Sequence, residues 1–502
     1  MSDICVLQLG DTDWRTRYTL PDHVDFEYAS SFTAPVSRQY DIVFLDRAPL
    51  EEELHCLFEA TRAYTLYVTD SVELSEKAQF YYDCRKGQRL PADRIGEFLE
   101  QELRFYFGYS YGEKLRHEDL SISSFFAGEV KWNGHHDVTL SGVFGEDFRQ
   151  IAFWRYNIPV AVNQPLDLWL EYGKTPDAEI ALTVTGFAAG SQAEVISRRT
   201  YTEEELAEPI RVGGDQREQR LFLSIEAKGA GEIRIISMHS RYSRGSHGTF
   251  LPGGERYVTS DREEVFAYFD PADMQPPLNV YFSGYKQREG FEGVNLMRKM
   301  GCPYLLLSES RLEGGGFYIG SAEYERIITG IIRKYMKKLG FGPDQVVFSG
   351  LSMGTFGALY YGCEFTPHAM LLGKPLASVG DIATNETLVR PGGFPTSLDV
   401  LLTNTGGLDG DLVRRLNERF WNRFDAAVWN KTKFVVAYMI EDDYDQTAYE
   451  KLISHVRFGG VQIYGKGLHG RHNDNSGGIV SWFVKQYRKI LQDDFGRAES
   501  DT

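Results

Sequence analysis

The residues GLSMG at positions 350–354 are the strongest fold signal in the C-terminal half of the chain. A β-prone run precedes it at residues 345–348, and a helix-compatible run follows it at residues 355–361. A serine between two glycines in a strand–turn–helix is typical of a nucleophile elbow, where the turn raises the hydroxyl above the sheet. The sequence therefore predicts an α/β-hydrolase-type domain with Ser352 as its nucleophile.

The same five-letter pattern occurs a second time, as GYSYG at residues 108–112. Chance alone gives roughly 0.3 such matches in a chain of this composition, so the flanking sequence has to distinguish them. A helical pattern precedes the second match, and no helix start follows it. We therefore interpret Ser110 as part of an aromatic loop.

The carboxylate of a catalytic triad is expected after a later strand. Residues 434–440 (FVVAYMI) are strongly β-prone, and Glu441, Asp442 and Asp443 follow at once. Open α/β sheets place functional groups at the C-terminal ends of their strands. We favour Glu441 as the acid, with Asp442 and Asp443 as alternatives. A solvated charge cluster without a catalytic role is the competing interpretation.

A histidine is expected after the last strand, which residues 461–464 (VQIY) predict. The loop at residues 465–474 carries His469 and His472, and a final amphipathic helix follows. The order serine, acid, histidine is that of α/β-hydrolases, which favours a catalytic histidine over a polar surface residue. We favour His472 as the base, with His469 as the alternative. A zinc site on the pair has less support, because no cysteine pair or HExxH motif accompanies it.

An oxyanion hole should combine the N–H that follows the serine with an N–H from an earlier strand-end loop. Met353 supplies the first donor by position. Residues 278–282 (LNVYF) predict a strand, and Gly284 and Tyr285 lie just beyond its end. Either residue is a candidate for the second donor, and an ordinary strand-to-helix turn is an equal alternative.

Composition narrows the functional classes. The 502 residues exceed one ordinary core, and the net charge of −17 argues against general nucleic-acid binding. The five cysteines are scattered without a CxxC pair, as expected for reduced thiols in a cytosolic protein. The sequence shows neither a secretory signal nor the run of roughly 20 apolar residues that a membrane span needs.

Three compositional regions divide the chain. Residues 1–118 alternate β-prone runs with helical patterns, which predicts a Rossmann-like α/β region. Residues 119–250 almost lack helical patterns and predict a β-sandwich that could bind glycan or a partner. Residues 251–502 return to βα alternation and form the predicted hydrolase-type catalytic domain.

Within the β-rich region, residues 220–226 and 232–239 predict two strands with a turn at residues 228–232 (KGAGE). The Ser/Arg/Gly-rich residues 241–254 predict a linker to the third region.

Three tryptophans of the β-rich region, Trp132, Trp154 and Trp169, are candidates for a sugar-stacking surface. We expect most of them to pack in the core instead, because large aromatic side chains are usually buried.

Three segments carry a resemblance to a known family: FSGLSMGTFGALYYG at residues 348–362, YMIEDDYDQTAY at residues 438–449 and GLHGRHNDNSGG at residues 467–478. With its three-part layout, the chain resembles accessory secretory protein two of the Gram-positive accessory Sec system. That system exports serine-rich-repeat glycoprotein adhesins. The resemblance covers most of the chain and implies the same three-part fold.

The resemblance implies a carbohydrate O-acetyltransferase that modifies N-acetylglucosamine on the adhesin and is also needed for its export. Carried onto this chain, it implies Ser352 as nucleophile, Glu441 as acid and His472 as base, with the alternatives above still open. No bound cofactor is expected. Acetyl-coenzyme A is the expected acetyl donor, although the chain has no phosphate-cradling GxxxxGK[ST] loop.

The resemblance also implies partners and a location. The expected partners are accessory secretory proteins one and three, the serine-rich-repeat glycoprotein and the translocase motor ATPase. The expected location is the cytoplasm, with peripheral contact at the inner face of the cell membrane.

Two other functions use the same residues. A carbohydrate esterase or deacetylase would need the same triad and would accept water in place of a sugar hydroxyl. A non-catalytic scaffold of the export complex would keep the fold without using the triad.

Overall fold

The computed structural model describes residues 4–35, 38–108, 111–191, 193–215, 217–388, 394, 396–429, 431–456 and 461–497, with the side chains of residues 386–388 left out. These residues form a mixed α/β protein with three β-sheets, which follow one another along the chain.

The first sheet contains five strands within the described residues, in the order β2-β1-β3-β4-β5, and every neighbouring pair is parallel. Its strands are β1 (Ile4–Leu9), β2 (Val24–Ala29), β3 (Ile42–Leu45), β4 (Leu66–Thr69) and β5 (Gln88–Leu90). The helices of this region are α1 (Leu54–Ala60), α2 (Glu76–Cys84) and α3 (Ile95–Gln101). Strands β3 and β4 are buried along their whole length, as expected for a parallel sheet with both faces covered.

The second sheet is antiparallel, with eleven strands within the described residues. It contains β6 (Tyr111–Arg116), β7 (Leu120–Ile122), β8 (Glu129–Asn133), β9 (Asp137–Trp154), β10 (Ile158–Val160), β11 (Leu166–Lys174), β12 (Ala178–Ala188), β13 (Val195–Tyr201), β14 (Ile210–Val212) and β15 (Gln219–Tyr242). Its eleventh strand is a short segment from the third region. The first half of β15 pairs with β12 and its second half with β11, while β9 runs along the middle of β15. Side chains from both halves share one core.

One long strand replaces the two strands and the turn predicted at residues 220–239. Strand β15 continues through the KGAGE segment, and its pairing with β9 shifts register beside Gly229. Gly229 and Gly231 have φ of 86° and 126°. Glycine adopts these angles without strain, so the segment forms bulges inside a continuous strand and not a turn.

The predicted linker at residues 241–254 is a packed segment. Arg241 lies in β15, and Arg244 is only 2% exposed. The Arg244 guanidinium donates hydrogen bonds to the carbonyls of Phe105, Phe107 and Phe250. This arginine therefore joins the end of the first region to the segment that leads into the third.

The tryptophans divide as the burial argument predicts. Trp154 and Trp169 are buried, whereas Trp132 is about half exposed. The stacking surface proposed from sequence therefore keeps one of its three members.

The third region begins with β16 (Glu255–Val258), β17 (Glu264–Asp270), β18 (Leu278–Phe282), β19 (Glu289–Gly290) and β20 (Tyr304–Glu309). It continues with β21 (Val346–Leu351), β22 (Ala369–Gly373), β23 (Lys433–Met439) and β24 (Gln462–Leu468). Its helices are α4 (Val294–Arg298), α5 (Ala322–Leu339), α6 (Met353–Phe365), α7 (Val379–Leu388), α8 (Ser397–Thr405), α9 (Gly410–Ala426), α10 (Ala448–Val456) and α11 (Ser476–Phe495).

The third sheet has the strand order β16-β17-β20-β18-β21-β22-β23-β24 in the part of the chain that the structure describes. Strands β18 and β20 to β24 are mutually parallel, whereas β16 and β17 form an antiparallel edge. One face packs in a core with α5, α6 and α9, and the other packs in a core with α11. The C-terminal ends of the parallel strands thus meet at one edge, where open α/β sheets bind ligands.

The second and third sheets are joined by strand pairing and by a buried charge cluster. Strand β19 pairs with β6, so residues 111–116, which sequence analysis places in the first region, belong to the second sheet. Close by, the fully buried His239 ring contacts the Glu289 carboxylate at 2.5 Å and the Glu171 carboxylate at 3.1 Å. Arg241 in turn bridges Glu289 and Glu264. The division into three domains stays a prediction, since these contacts make the junction continuous.

Candidate functional site

Ser352 lies in the sharp turn between β21 and α6, and its backbone is strained. Its φ of 52° is in the left-handed region, which a non-glycine residue rarely adopts. A Cβ on Gly350 would approach the Gly354 carbonyl to 2.4 Å, and a Cβ on Gly354 would approach the Phe282 carbonyl oxygen to 2.1 Å. Both flanking glycines are therefore required by space, as the elbow prediction assumes.

The Ser352 hydroxyl meets the His472 ring, with 2.8 Å between Oγ and Nε2. His472 is in the loop between β24 and α11 and is fully buried, whereas His469 in the same loop is largely exposed. The structure thus brings the favoured histidine to the serine.

The second ring nitrogen of His472 donates to Asp442, with 2.8 Å between Nδ1 and Oδ2. Asp442 follows β23 and is buried, and its other oxygen accepts the backbone N–H groups of Tyr444 and Asp445. The carboxylate at His472 is therefore Asp442, one of the two alternatives of the sequence analysis, and not the favoured Glu441.

Glu441 points away from this chain of hydrogen bonds. Its carboxylate accepts from the Gly470 N–H and contacts the His469 ring at 3.0 Å on the protein surface. Asp443 accepts the backbone N–H of His472 at 3.1 Å. Each of the three adjacent acids thus contacts the histidine loop, but only Asp442 reaches the His472 ring.

The charges of the chain are set by its burial and its hydrogen bonds. Burial lowers the pKa of His472 below its ordinary value of 6.5, although the hydrogen bond to Asp442 opposes the shift. Burial opposes ionisation of Asp442, but His472 and the backbone N–H groups outweigh it, so the pKa of Asp442 is below 3.8. A neutral imidazole beside an ionised carboxylate can accept a proton from the serine hydroxyl.

The predicted oxyanion donors differ in their surroundings. Met353 is the first residue of α6, so its N–H has no acceptor within the helix. The Gly284 N–H donates to the Glu292 carboxylate at 2.6 Å. Gly284 lies against the elbow, because a Cβ there would be 2.9 Å from the Leu351 carbonyl oxygen. Gly284 thus lies beside the elbow, but the Glu292 carboxylate accepts its N–H, so its role as the second donor stays a prediction.

Two charged residues near the triad were missed by sequence analysis. Lys374 follows β22 directly and is buried, and its Nζ lies 3.2 Å from the Ser476 hydroxyl. The pKa of Lys374 is lowered, because burial outweighs the opposing effect of the Asp442 and Glu292 charges. A lysine just after the apolar run AMLLG was a usable signal, because the strand-end rule that located the acids applies equally to β22. Glu292 has no comparable signal, since it follows the two-residue strand β19.

Aromatic rings cover the His472 side of the site. The Tyr444 ring is 4.3 Å from the His472 ring, and Phe394 lies 6.1 Å from Tyr444 and 5.3 Å from Tyr285. Tyr285, the alternative second donor, thus contributes its ring to this wall.

Ser110 lies outside the described residues, so its interpretation as a loop residue stays a prediction. Among the described helices, none has both the length and the apolar character to traverse a bilayer.

Fold and site together define a mixed α/β protein with a hydrogen-bonded serine–histidine–aspartate chain at the C-terminal edge of its third sheet. Comparison with known proteins gives a more specific class. The family described as accessory Sec system GspB-transporter matches residues 4–497. The chain belongs to this family of accessory Sec system proteins, as the resemblance predicts.

Individual relatives agree. An accessory Sec system protein two from Streptococcus gordonii is 37% identical, over 98% of both chains. Its counterpart from Staphylococcus aureus is 36% identical, again over 98% of both chains. A chain in the solved glycosylation-associated Gap123 complex of Streptococcus agalactiae is 34% identical with a TM-score of 0.89, covering 99% of this chain and all of that one.

Proposed function

We propose that this chain is a serine-dependent carbohydrate O-acetyltransferase with an α/β-hydrolase-type catalytic domain. The observation that supports this most is the hydrogen-bonded chain Ser352–His472–Asp442, with 2.8 Å at both links. The proposed substrate is N-acetylglucosamine on a serine-rich-repeat glycoprotein adhesin that the accessory Sec system exports.

In the proposed first half-reaction, His472 takes the hydroxyl proton of Ser352 as Oγ attacks the acetyl carbonyl of the donor. Asp442 holds the ring in the tautomer with a proton on Nδ1 and stabilises the imidazolium that forms. The donor's leaving group then takes that proton, and the acetyl group remains on Oγ. We propose acetyl-coenzyme A as this donor.

The Met353 N–H is the proposed first donor to the oxyanion, at the positive end of α6. Gly284 can serve as the second donor only after the Glu292 carboxylate leaves its N–H, because both would occupy the same acceptor position. Lys374 near Glu292 and Asp442 offsets part of the negative charge around the reaction.

In the proposed second half-reaction, a sugar hydroxyl gives its proton to His472 and its oxygen attacks the acetyl carbonyl. The bond between the acetyl carbon and Oγ of Ser352 then breaks, and His472 returns the proton to Oγ. An esterase with water as acceptor is the competing function.

The decisive experiment compares adhesin glycans from cells with wild-type protein and with Ser352→Ala, by mass spectrometry. Transfer predicts that acetylated N-acetylglucosamine is lost in the variant. Unchanged glycan masses would contradict the transferase, and a rise in acetylation would indicate a deacetylase. A matched control is Ser349→Ala, a buried serine of β21 whose hydroxyl contacts the Val280 carbonyl and not His472.

We also propose that the chain works inside a complex with accessory secretory proteins one and three and delivers cargo to the translocase motor ATPase from the cytoplasm. The similar Streptococcus agalactiae chain was solved in a complex, and its fold match covers 99% of this chain. Co-purification of the two partners with wild-type and Ser352→Ala protein tests this. Equal recovery is expected, since assembly does not need the nucleophile, and failure to recover either partner with wild-type protein would contradict it.

A further inference from the structure

A cleft lies between the first sheet and the third sheet, away from Ser352. Its volume is about 770 Å³, and its walls come from both regions. The first region contributes Arg62 and Arg85, and the third contributes Arg298 and Tyr304. The chain as a whole has a net charge of −17, so this arginine-rich cleft is a local positive patch. An anionic ligand would neutralise it.

Two of these arginines converge on one neutral oxygen. Arg62 donates through Nε to the Gln39 Oε1 at 3.3 Å, and Arg298 donates to the same oxygen at 2.7 Å. Arg62 has the Asp41 carboxylate only at 3.8 Å, and Arg298 forms no ion pair with any described residue. Burial, and then the neighbouring Arg298 charge, lower the pKa of Arg62. The two cations therefore repel each other, and the Asp41 carboxylate offsets only part of that repulsion.

A third arginine in the cleft is buried with part of its guanidinium unused. Arg85 is 8% exposed, and its guanidinium lies over the Phe58 ring at 3.4 Å. One terminal nitrogen donates to the Phe58 carbonyl, whereas Nε has no partner among the described residues. A buried donor without a partner is costly, which indicates that an acceptor is missing.

The acids of the cleft do not supply that acceptor. Asp270 accepts the Ala272 N–H and the Tyr304 hydroxyl. Glu59 is 3.6 Å from the His55 ring. Both carboxylates thus have other contacts.

The cleft is at the edge of the third sheet opposite the triad. Tyr304 begins β20, and Asp270 pairs with it at the end of the antiparallel strand β17. Ser352 and Asp442 follow the C-terminal ends of β21 and β23, which are parallel to β20 through the sheet. A six-residue strand spans about 20 Å, so a ligand here does not reach the serine.

We propose that this cleft binds a small molecule carrying a phosphate or diphosphate group. Guanidinium groups present paired N–H donors that match phosphate oxygens, and Arg62, Arg85 and Arg298 surround one space. The partly exposed Phe58 ring offers apolar surface to the rest of the molecule. Because the arginines come from two regions, the bound anion links the first sheet to the third.

The test is thermal unfolding of the full chain, titrated with sodium pyrophosphate against sodium chloride at equal ionic strength. Pyrophosphate is expected to raise Tm with a saturable dose dependence that chloride lacks, because ligands that bind only the folded state stabilise it. In Arg298→Gln the apparent Kd should weaken by about tenfold or more, the loss of one charge-assisted contact of roughly 1.5–3 kcal/mol. The Tm without pyrophosphate should be unchanged or higher, because one of the repelling charges is gone.

Arg62→Gln gives an independent second variant and should weaken the response in the same way. Arg414→Gln removes an exposed charge on α9 and is the matched control, which should respond like wild type. Ser352→Ala should also respond fully, so this outcome is separate from the proposed acetyl transfer.

Three results would overturn the proposal: a pyrophosphate effect no larger than that of chloride, an unchanged response in both arginine variants, or a loss of response in Arg414→Gln. Vesicles containing phosphatidylglycerol form a further arm. Arginine-dependent binding to vesicles without any response to pyrophosphate would assign the phosphate to a lipid headgroup and overturn the small-molecule ligand.

Discussion

His472 and His239 are both fully buried, yet their pKa values shift in opposite directions. His472 contacts one carboxylate and one hydroxyl, and burial lowers its pKa. His239 lies between two carboxylates, Glu171 and Glu289; burial opposes its charge, but the carboxylates outweigh burial and raise its pKa. The imidazole of His472 is therefore kept neutral, so that it can accept a proton, whereas the imidazole of His239 is kept positively charged.

The largest expected effect comes from removing the imidazole of the triad. His472→Gln should lower kcat for hydrolysis of a chromogenic acetyl ester by about 10⁴-fold or more, as in other serine triads. His469→Gln in the same loop should change kcat by less than about threefold, since exposed positions outside the reaction contribute little. A comparable loss in both variants would mean that the loop, and not the His472 ring, is what the reaction needs.

Next in size is the choice between adjacent acids. Asp442→Asn should lower kcat by about 10³ to 10⁴-fold, because the amide no longer stabilises the imidazolium or fixes its tautomer. Glu441→Gln weakens only surface contacts, with the His469 ring and the Gly470 N–H, and should cost a few-fold at most. Steady-state kinetics on both variants decides between the geometry and the sequence-based preference, and a larger loss for Glu441→Gln would favour the latter.

Breaking the other histidine site should affect stability in place of activity. His239→Gln leaves Glu171 and Glu289 without the cation between them, so the free energy of unfolding should fall by about 3–5 kcal/mol. Urea unfolding of both proteins measures this difference. The variant should keep wild-type kcat below its unfolding midpoint, and a catalytic defect without destabilisation would contradict the comparison.

The pH dependences should run in opposite directions. Activity needs neutral His472, so kcat should fall about tenfold per unit only below the lowered pKa, that is, at pH values under 6.5. The stability that charged His239 provides is fully present below pH 6.5 and is lost as pH rises through its raised pKa. Rate profiles for wild type, and unfolding of wild type against His239→Gln from pH 5 to 9, test both; an acid limb with a midpoint above 6.5 would contradict the first.

The smallest effect concerns the carboxylate at Gly284. Glu292→Gln removes a negative charge next to the proposed oxyanion and weakens the competing acceptor, so kcat for a small acetyl ester should rise by a few-fold, up to about tenfold. Lys286→Gln is a control that changes a neighbouring charge without touching Gly284, and it should leave kcat near wild type. A fall in kcat for Glu292→Gln would show that the carboxylate assists the reaction.

Much of the candidate site follows from the sequence, because the elbow, the acids, the histidine loop and Gly284 each come after a predicted strand. Gly350 and Gly354 identify the elbow around Ser352, and His472 comes after the last strand. The acid could not be chosen, since Glu441 and Asp442 differ only in which way the chain turns after β23. That turn depends on the N–H groups of Tyr444 and Asp445, which the sequence does not locate.

The main errors in the fold have a common cause. The KGAGE segment and the Ser/Arg/Gly-rich segment at residues 241–254 have the composition of turns and linkers, but tertiary contacts decide their structure. Gly229 and Gly231 allow bulges within β15, and Arg244 finds three carbonyls in its surroundings. Local propensity sets which conformations a segment can adopt, and contacts with residues distant in sequence determine which of them it adopts.

Strand β19 links the junction between the second and third sheets to the candidate site. Glu289 holds His239 at the junction and pairs with Gly112 of β6, and three positions later Glu292 accepts the Gly284 N–H beside the elbow. Only two residues, Gly290 and Phe291, separate these two glutamates. We therefore expect a shift of the antiparallel sheet against its neighbour to move the carboxylate that competes for the proposed oxyanion position, which couples β19 to the candidate site.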